Sequence, residues 1–200
     1  MKKLIIYIIG CLLVLPLWAG TPSQNPPASL TWYGLDYTQV KFIGYQEHFN
    51  DLYKIQNHYF SEWNHLIISE EGKYDVAGAF GVQKVYYEVE HAINRSRERD
   101  MSDIIQQGSW EIGKSELAQV VKAYISPGED KIGALFVMES LNKLDEVSTM
   151  WLVVFKVSGG EILHVKRYMG KPGGFGFRNY WARSYYNVLL DIKKNPNKPF

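Results

Sequence analysis

The last third of the chain, residues 131–194, restricts the fold more than any other stretch. It contains three runs of strand length, at residues 132–138, 150–155 and 161–169. The connections between them are short, so we expect neighbouring runs to pair antiparallel. A glycine-rich loop at residues 170–176 and an aromatic-rich helix at residues 177–194 follow. This stretch therefore predicts a three-stranded antiparallel unit closed by a helix.

The first two thirds of the chain supply further elements of both kinds. Aromatic and β-branched residues favour strands, and apolar residues at three- and four-residue spacing favour helices. These patterns predict strands at residues 30–37, 40–43 and 84–89, and helices at residues 46–70 and 113–125. The sequence thus predicts one α+β domain, in which a mixed, mainly antiparallel sheet is packed by about three helices.

The N-terminus has the pattern of an export signal. Lys2 and Lys3 precede an almost unbroken apolar run at residues 4–18, and Ala19 stands at the cleavage position. That run is short for a membrane span and typical of a secretory signal peptide. We predict a signal peptide at residues 1–20, a Pro- and Ser-rich linker at 21–29, the domain at 30–194 and a polar tail at 195–200.

The single cysteine, Cys11, lies inside the apolar run. An alternative is a lipoprotein anchor on Cys11, although apolar residues follow this cysteine where such anchors continue as a polar tether. Cleavage after Ala19 leaves a chain without disulfides or thiolate metal sites. Loss of Lys2 and Lys3 changes the net charge from +1 to −1. We therefore expect no nucleic-acid partner, and membrane contact only through the signal peptide or a lipid on Cys11.

Motifs for catalysis or metal binding are lacking in the sequence. No Gly-x-Ser-x-Gly elbow and no His-Glu-x-x-His pair occur. His58, Glu62 and His65 share one side of the predicted helix at 46–70, but that side lies opposite the apolar stripe, which indicates a solvated face. The sequence predicts no catalytic residue, no metal and no cofactor, and it favours a protein without enzymatic activity while leaving that question open.

The glycine-rich loop is the candidate binding site. It precedes a helix N-terminus, which can attract anions, but it lacks the Gly-Lys-Ser/Thr ending of a nucleotide-binding loop. Tyr186 and Leu190 fall away from the core face of the closing helix and are candidates for a partner surface. The candidate contacts for an anion or a partner are Lys171, Gly173, Gly174, Arg178, Tyr186 and Leu190.

The order of elements also suggests a family resemblance. A helix with Leu-Ala-Gln-Val-Val at residues 117–121 leads into a strand at residues 134–138, and Lys-Val-Ser-Gly-Gly-Glu-Ile at residues 156–162 forms a turn. This order resembles the periplasmic α/β domains of the curli-secretion lipoprotein CsgG and of the N-terminal domain of TolB. The turn lacks their acidic residue and Thr-Gly pair. The chain is also similar to small secreted proteins of Bacteroidetes-type bacteria, from which no activity carries over.

These observations predict an exported envelope protein, periplasmic or associated with the outer membrane. We expect a non-catalytic protein-binding or assembly module whose partner is an envelope protein or a second copy of the chain. The alternative is an exported hydrolase or a glycan-binding protein, suggested by Trp32, Tyr33 and the glycine-rich loop. A concave pocket with convergent polar groups beside the loop would favour the alternative.

Overall fold

The computed structural model describes residues 26–195 and residue 199. The predicted signal peptide, Cys11, residues 21–25 of the linker and the rest of the tail lie outside these described residues. The first strand begins at Ser29, one residue before the predicted start of the domain. Within the described part of the chain, no helix is long and apolar enough to cross a membrane.

Seven strands form a single sheet. They are β1 (Ser29–Asp36), β2 (Lys41–Ile43), β3 (Lys84–Tyr87), β4 (Ile105–Gln106), β5 (Ile132–Asn142), β6 (Val147–Lys156) and β7 (Ile162–Gly170). The long strand β5 lies at the centre, with β6 and then β7 on one side. On its other side β1 and β2 follow one another along β5, and they carry β3 and β4 respectively on their outer edges.

The prediction of a mainly antiparallel α+β sheet is wrong, because the sheet is curled and mainly parallel, and the fold is of the α/β type. Four of the six strand pairings are parallel: β1 with β3, β1 with β5, β2 with β4 and β2 with β5. The antiparallel pairing predicted for the last three strands is confirmed. Only β6 therefore runs against the other six strands.

The error has a physical cause. Short connections between paired strands reveal antiparallel neighbours, and among the described strands only β5, β6 and β7 have them. The equally short segment from β1 to β2 joins two strands that do not pair with each other. Each of the earlier strands reaches its partner through a longer connection, usually one that contains a helix. A crossover of this length permits parallel pairing, but neither strand order nor partner can be deduced from the strands themselves.

The helices are also more numerous than predicted. They are α1 (Leu52–Lys54), α2 (Phe60–Ser69), α3 (Val76–Phe80), α4 (Glu90–Arg97), α5 (Lys114–Lys122) and α6 (Phe177–Lys194). A π-helical turn (Ile55–Tyr59) joins α1 to α2 without a break, so the fold has five helical bodies where about three were predicted. The predicted bounds of α6 are confirmed, whereas α3 and α4 were not predicted as helices.

Two hydrophobic clusters fill the two faces of the sheet. The larger cluster lies under α2, α3 and α6 and is built largely of stacked aromatic rings, such as Tyr37 on Phe60 at a centroid distance of 4.1 Å. The smaller cluster lies under α5 and includes Tyr33, Leu135 and Phe155. Helices on both faces leave the edge at which the strands end as the place where loops gather.

Candidate functional site

The segments that follow four strands meet at one edge of the sheet. β2, β4, β5 and β7 run in the same direction, so their carboxyl ends point the same way. The residues just beyond those ends are Gly44, Gln107, Lys143 and the glycine-rich loop at residues 171–176. In open α/β sheets ligands bind outside the carboxyl ends of the strands. This edge is therefore the first place to look for a site, and three clefts lie along it.

The first cleft, here called the amide cleft, has a volume of about 450 Å³ and lies beyond the ends of β2 and β4. Tyr45 is 46% exposed beside it. Its other polar lining residues include Gln46, Glu47, Ser102, Gln106 and Gln107. An exposed aromatic ring among hydrogen-bonding groups, of which only Glu47 is charged, can bind a polar chain without needing a charged ligand.

The second cleft, here called the aromatic cleft, has a volume of about 260 Å³. Its lining residues are His48, Lys143, Gly174, Gly176, Phe177, Tyr180 and Trp181. Most of the side chains are aromatic, so the cleft suits an apolar group. Lys143 lies over the ring of Tyr180 at 3.7 Å from the centroid, which places a cation at the rim of an otherwise apolar site.

The third cleft, here called the glycine-loop cleft, has a volume of about 290 Å³. Gly173 and Gly174 form one wall, and Asn179 and Arg183 of α6 form another. Tyr74, two residues before α3, also lines the cleft. Without side chains at residues 173 and 174, the backbone of the loop is directly accessible to a ligand.

The three clefts adjoin one another. Gly174 lines both the aromatic cleft and the glycine-loop cleft. His48 of the aromatic cleft contacts Tyr45 of the amide cleft, with ring centroids 5.6 Å apart and the Tyr45 amide donating to His48 Nδ1 at 3.1 Å. We name these three neighbouring clefts together the carboxyl-edge groove. Its extent suits an elongated ligand better than a compact one.

The walls of the groove are held by hydrogen bonds between elements. The Gly173 amide donates to the Tyr180 carbonyl at 2.9 Å, and Asn187 Nδ2 donates to the Lys171 carbonyl at 2.8 Å, so the glycine-rich loop is fixed on α6. The Tyr180 hydroxyl donates to Glu146 Oε1 at 3.1 Å and ties α6 to the β5–β6 hairpin. These bonds preorganise the groove, which lowers the cost of ordering it around a ligand.

Phe175 stands at the tip of the glycine-rich loop and is 96% exposed. The residues on either side of it, Gly174 and Gly176, both line the aromatic cleft. An aromatic side chain almost wholly in water, between two residues of a cleft, is a typical contact residue for a partner.

The charged residues that line the glycine-loop and aromatic clefts are mostly positive, with Lys73, Lys143 and Arg183 against Glu70, whereas the amide cleft has Glu47. Lys73 pairs with Glu70 at 2.9 Å, and the hydrogen bond that it donates to Glu70 raises the pKa of Lys73. Lys143, Lys171 and Arg183 have no carboxylate partner among the described residues, and Arg183 lies over the ring of Tyr186 at 5.4 Å. Lys143 and Arg183 line the clefts and Lys171 lies in the adjoining loop, so a ligand could neutralise their charge.

A cleft of about 400 Å³ also lies at the opposite edge, where β1 and β5 begin. Its lysine, Lys131, contacts both Glu88 and Glu129, at 3.3 and 2.7 Å. The hydrogen bonds that Lys131 donates to Glu129 and Glu88 raise its pKa. Because the cation there is already neutralised and the cleft lies at the amino ends of the strands, we regard it as a weaker candidate.

Two fully buried carboxylates on the α5 side of the sheet are the other notable polar groups. Asp36, at the end of β1, accepts hydrogen bonds from the Tyr124 hydroxyl at 2.6 Å and the Thr38 amide at 2.8 Å, and it pairs with Arg95 at 3.3 Å. Burial and then the nearby Asp36 carboxylate raise the pKa of Tyr124 well above its usual value. Tyr124 therefore stays protonated and remains a donor.

Glu139, in β5, also has protein donors bound to its carboxylate oxygens. Its Oε2 accepts from the Ile112 amide at 3.1 Å and from Trp151 Nε1 at 2.7 Å, while Arg167 binds its Oε1. Both oxygens of each carboxylate are thus occupied by protein donors. A buried carboxylate in this state contributes to the fold and has little capacity to bind a ligand.

The predicted site residues are distributed unevenly around the groove. Gly173 and Gly174 form its wall, and Tyr186 packs against Tyr74, which also lines it. Lys171 is exposed within the loop. Arg178 is engaged elsewhere, because its Nε pairs with Glu62 at 2.8 Å.

Leu190 is half-buried near the far end of α6, 13 residues beyond Phe177. At 1.5 Å per residue this is about 20 Å along the helix from the loop. The structure thus gathers part of the predicted set and separates Leu190 from it. That all six residues contact a ligand or partner stays a prediction.

Several residues of the groove were not predicted from the sequence: Tyr45, His48, Lys143, Phe175, Asn179 and Arg183. One signal for Phe175 was present, since a large apolar residue between two glycines in a turn has nothing nearby to bury it. No local signal identifies Lys143 or Tyr45, because their proximity to the loop depends on the parallel strand order.

The side chains of Glu62 and His65 in α2 do not come together to form a binding site. His65 Nε2 lies 3.0 Å from Glu90 Oε1, and Glu62 is paired with Arg178. Within the described residues, no group of three or more histidine, cysteine, aspartate or glutamate side chains could hold a metal ion.

No known protein family matches the chain, and neither the curated proteins nor the solved structures include one that matches it. The resemblance to CsgG and to the N-terminal domain of TolB therefore stays a prediction. The function has to be argued from the geometry of the groove.

Proposed function

We propose that this protein is a non-catalytic binding module that takes an extended segment of another protein into the carboxyl-edge groove. The observation that carries the proposal is that the three clefts adjoin one another, since two of them share Gly174 and Tyr45 of the third contacts His48. An extended chain can occupy all three at once, whereas a small molecule would fill only one. Phe175, exposed at the rim, would supply an aromatic anchor for the partner.

The burial and the hydrogen bonds of two carboxylates support a function without catalysis. A general acid or base must reach the substrate and exchange a proton with it. Asp36 and Glu139 are fully buried, and protein donors occupy their oxygens. We further propose that the protein acts in the bacterial envelope, on the strength of the signal-peptide pattern at residues 1–20.

Glycan binding is the second candidate. Trp32 and Tyr33, which suggested it in the sequence, are buried, but the glycine-loop cleft is a concave pocket with polar groups beside the loop, and the amide cleft favours a glycan as well. A sugar ring stacks on an exposed aromatic side chain, and its hydroxyls suit side-chain amides as partners. Tyr45, Gln46 and Gln107 supply those two kinds of group. The aromatic cleft and the unpaired cations have no role in the binding of a neutral glycan, so we rank this candidate second.

A photo-crosslinking residue at position 175 tests the proposal, with the same residue at position 86 as the matched control. Tyr86 is also an exposed aromatic residue, at 47%, but it lines the cleft at the opposite edge of the sheet. The two variants are irradiated in cells of the source organism, and the products are identified by mass spectrometry. The captured partner is then purified, and its affinity is measured for the parent protein and for Phe175→Ala.

We expect a crosslink to one polypeptide from position 175 and none from position 86. Phe175→Ala should bind the partner at least about tenfold more weakly, because hot-spot aromatics typically contribute about 2 kcal/mol or more. A crosslink to a second copy of the chain would identify the partner as the protein itself. Capture of glycan alone, or the same products from both positions, would contradict the proposal.

A further inference from the structure

We propose that the groove selects an acidic segment, with a carboxylate held in the glycine-loop cleft and an adjacent large apolar side chain inserted in the aromatic cleft. This inference rests on the proposed function and specifies its ligand. The charges of two clefts and the size and lining of the aromatic cleft support it.

The charges favour a negative ligand. Arg183 lies in the wall of the glycine-loop cleft, and no described carboxylate pairs with it. Lys143 at the rim of the aromatic cleft and Lys171 in the loop likewise have no carboxylate partner among the described residues. Because the guanidinium of Arg183 can donate two parallel hydrogen bonds to one carboxylate, it is the best placed of the three for recognition.

The first turn of α6 adds to this attraction. Gly176, the residue at its N-cap, has no side chain with which to cap the first backbone amides. Asn179, in that first turn, lines the glycine-loop cleft. The helix dipole and its free amides favour an anion there, in support of the side-chain cations.

The aromatic cleft is sized for a single side chain. Its 260 Å³ is below the range of pockets that hold drug-sized molecules. Trp181, which lines it, is fully buried. Phe177 and Tyr180 complete an aromatic lining, which favours an apolar side chain over a polar one.

The two clefts are close enough for neighbouring groups of one peptide. Gly174 belongs to both, so the boundary between them is a single backbone position. Successive Cα atoms lie about 3.8 Å apart, and the side chains of an extended chain alternate in direction. An acidic residue next to an aromatic or long aliphatic residue would therefore reach both clefts.

Three blocked tripeptides test this specificity: acetyl-Glu-Phe-Glu-amide, its Gln-Phe-Gln analogue and its Glu-Ala-Glu analogue. Each is titrated into the isotope-labelled protein, and the amide signals of Gly173, Gly174 and Asn179 are followed by NMR. The protein variants are Arg183→Gln and, as a control with the same change of charge, Arg97→Gln at an exposed position of α4.

We expect Glu-Phe-Glu to shift the three signals in a saturable manner, and either analogue to bind at least about tenfold more weakly. Arg183→Gln should weaken Glu-Phe-Glu by a similar factor, and Arg97→Gln should have no effect. Equal binding of Glu-Phe-Glu and Gln-Phe-Gln would overturn the acidic preference while leaving peptide binding in the groove intact. If no tripeptide shifts these signals but a neutral oligosaccharide does, the proposed function fails as well.

Discussion

Asn64 shows how a single buried polar residue allows the first strand to form. Gly34 has a φ of +90° and lies in a bulge of β1, where the register with β5 shifts between Trp32 and Leu35. The pairing of β1 with β3 ends at Trp32, and Asn64 of α2 binds the backbone of Leu35 beyond that end, with Oδ1 accepting from the Leu35 amide at 2.7 Å and Nδ2 donating to its carbonyl at 3.1 Å. A side chain at residue 34 would meet Asn64 Oδ1 at 2.1 Å.

Substitution Asn64→Ala should lower the free energy of unfolding by about 2–4 kcal/mol, because two buried backbone groups lose their partners. Chemical denaturation measures the change. The exposed Asn94 of α4 gives the control, and Asn94→Ala should change stability by less than about 0.5 kcal/mol. A loss of that small size for Asn64→Ala would show that Asn64 does not support the bulge.

His164 in β7 should make stability depend on pH. Burial, with a smaller effect of Lys166, lowers the pKa of His164 below its usual 6.5. Between the folded and unfolded pKa values of His164 the unfolded chain binds more protons, so the stability from this residue is full above pH 6.5 and falls as the pH drops below it.

Denaturation from pH 8 to pH 5 should show this fall in stability, and His164→Leu should reduce the fall. His58→Leu, at an exposed position, should leave the profile unchanged, and an unaltered profile for His164→Leu would contradict the assignment.

The same residues show what sequence reasoning can predict at this scale. His164 was correctly placed in a strand, since the alternation of β7 is local. Nothing near Asn64 in the sequence indicates that it bonds to Leu35, 29 residues earlier. Burial within an element follows from periodicity, whereas a polar partner on another element requires knowledge of the packing.

At the level of elements, the contact between β7 and α6 places the glycine-rich loop. Gly170, the last residue of β7, lies so close to α6 that a side chain there would meet the Ser184 carbonyl oxygen at 2.3 Å. Because a backbone oxygen inside a helix cannot move aside, Gly170→Ala must push strand and helix apart.

We expect Gly170→Ala to reduce stability by about 2–3 kcal/mol. Gly159, in the β6–β7 turn, has open space around it, so Gly159→Ala is a matched control that should be nearly neutral. Denaturation of both variants checks this. Equal stability of the two would indicate that β7 and α6 are not as closely packed as described.

The π-helical turn links the first helical body to α4. Gln56 Nε2 donates to the carbonyls of Arg97 and Arg99 at 2.8 and 2.6 Å, and so caps the end of α4. Gln56→Ala should accelerate hydrogen exchange in the last turn of α4 by about fivefold or more, as expected for a lost bond of about 1 kcal/mol. The exposed neighbour Asn57 provides the control, and similar exchange rates for both alanine variants would contradict the capping role.

Elements with a strong local pattern were predicted well. The helix α6 has a regular aromatic stripe, and β5, β6 and β7 are separated by short turns. The five-residue α3 and the charged α4 were missed, since the first is too short for a periodic pattern and the second buries only Ala92, Ile93 and Ser96. The predicted helix at 46–70 begins only at Leu52, after a 3-10 turn (Gln46–His48).

At the scale of the whole molecule, the direction of the strands creates the candidate site. In the predicted, mainly antiparallel sheet, the ends of β2, β4, β5 and β7 would not all face the same edge. In the mainly parallel sheet they do, and the glycine-rich loop, Lys143 and Tyr45 become neighbours. The loop could be chosen as a candidate from its composition, but the rest of the groove depends on long-range strand order.

The most direct test of the central claim, that the three clefts act as one binding site, is the affinity of the purified partner for variants at the two ends of the groove. Tyr45→Ala alters the amide cleft, Arg183→Gln alters the glycine-loop cleft, and Tyr86→Ala is the control at the opposite edge. We predict that both groove variants bind the same partner at least about tenfold more weakly, while the control binds as the parent protein does. Weakening at only one end of the groove, or equal weakening by Tyr86→Ala, would contradict a single continuous site.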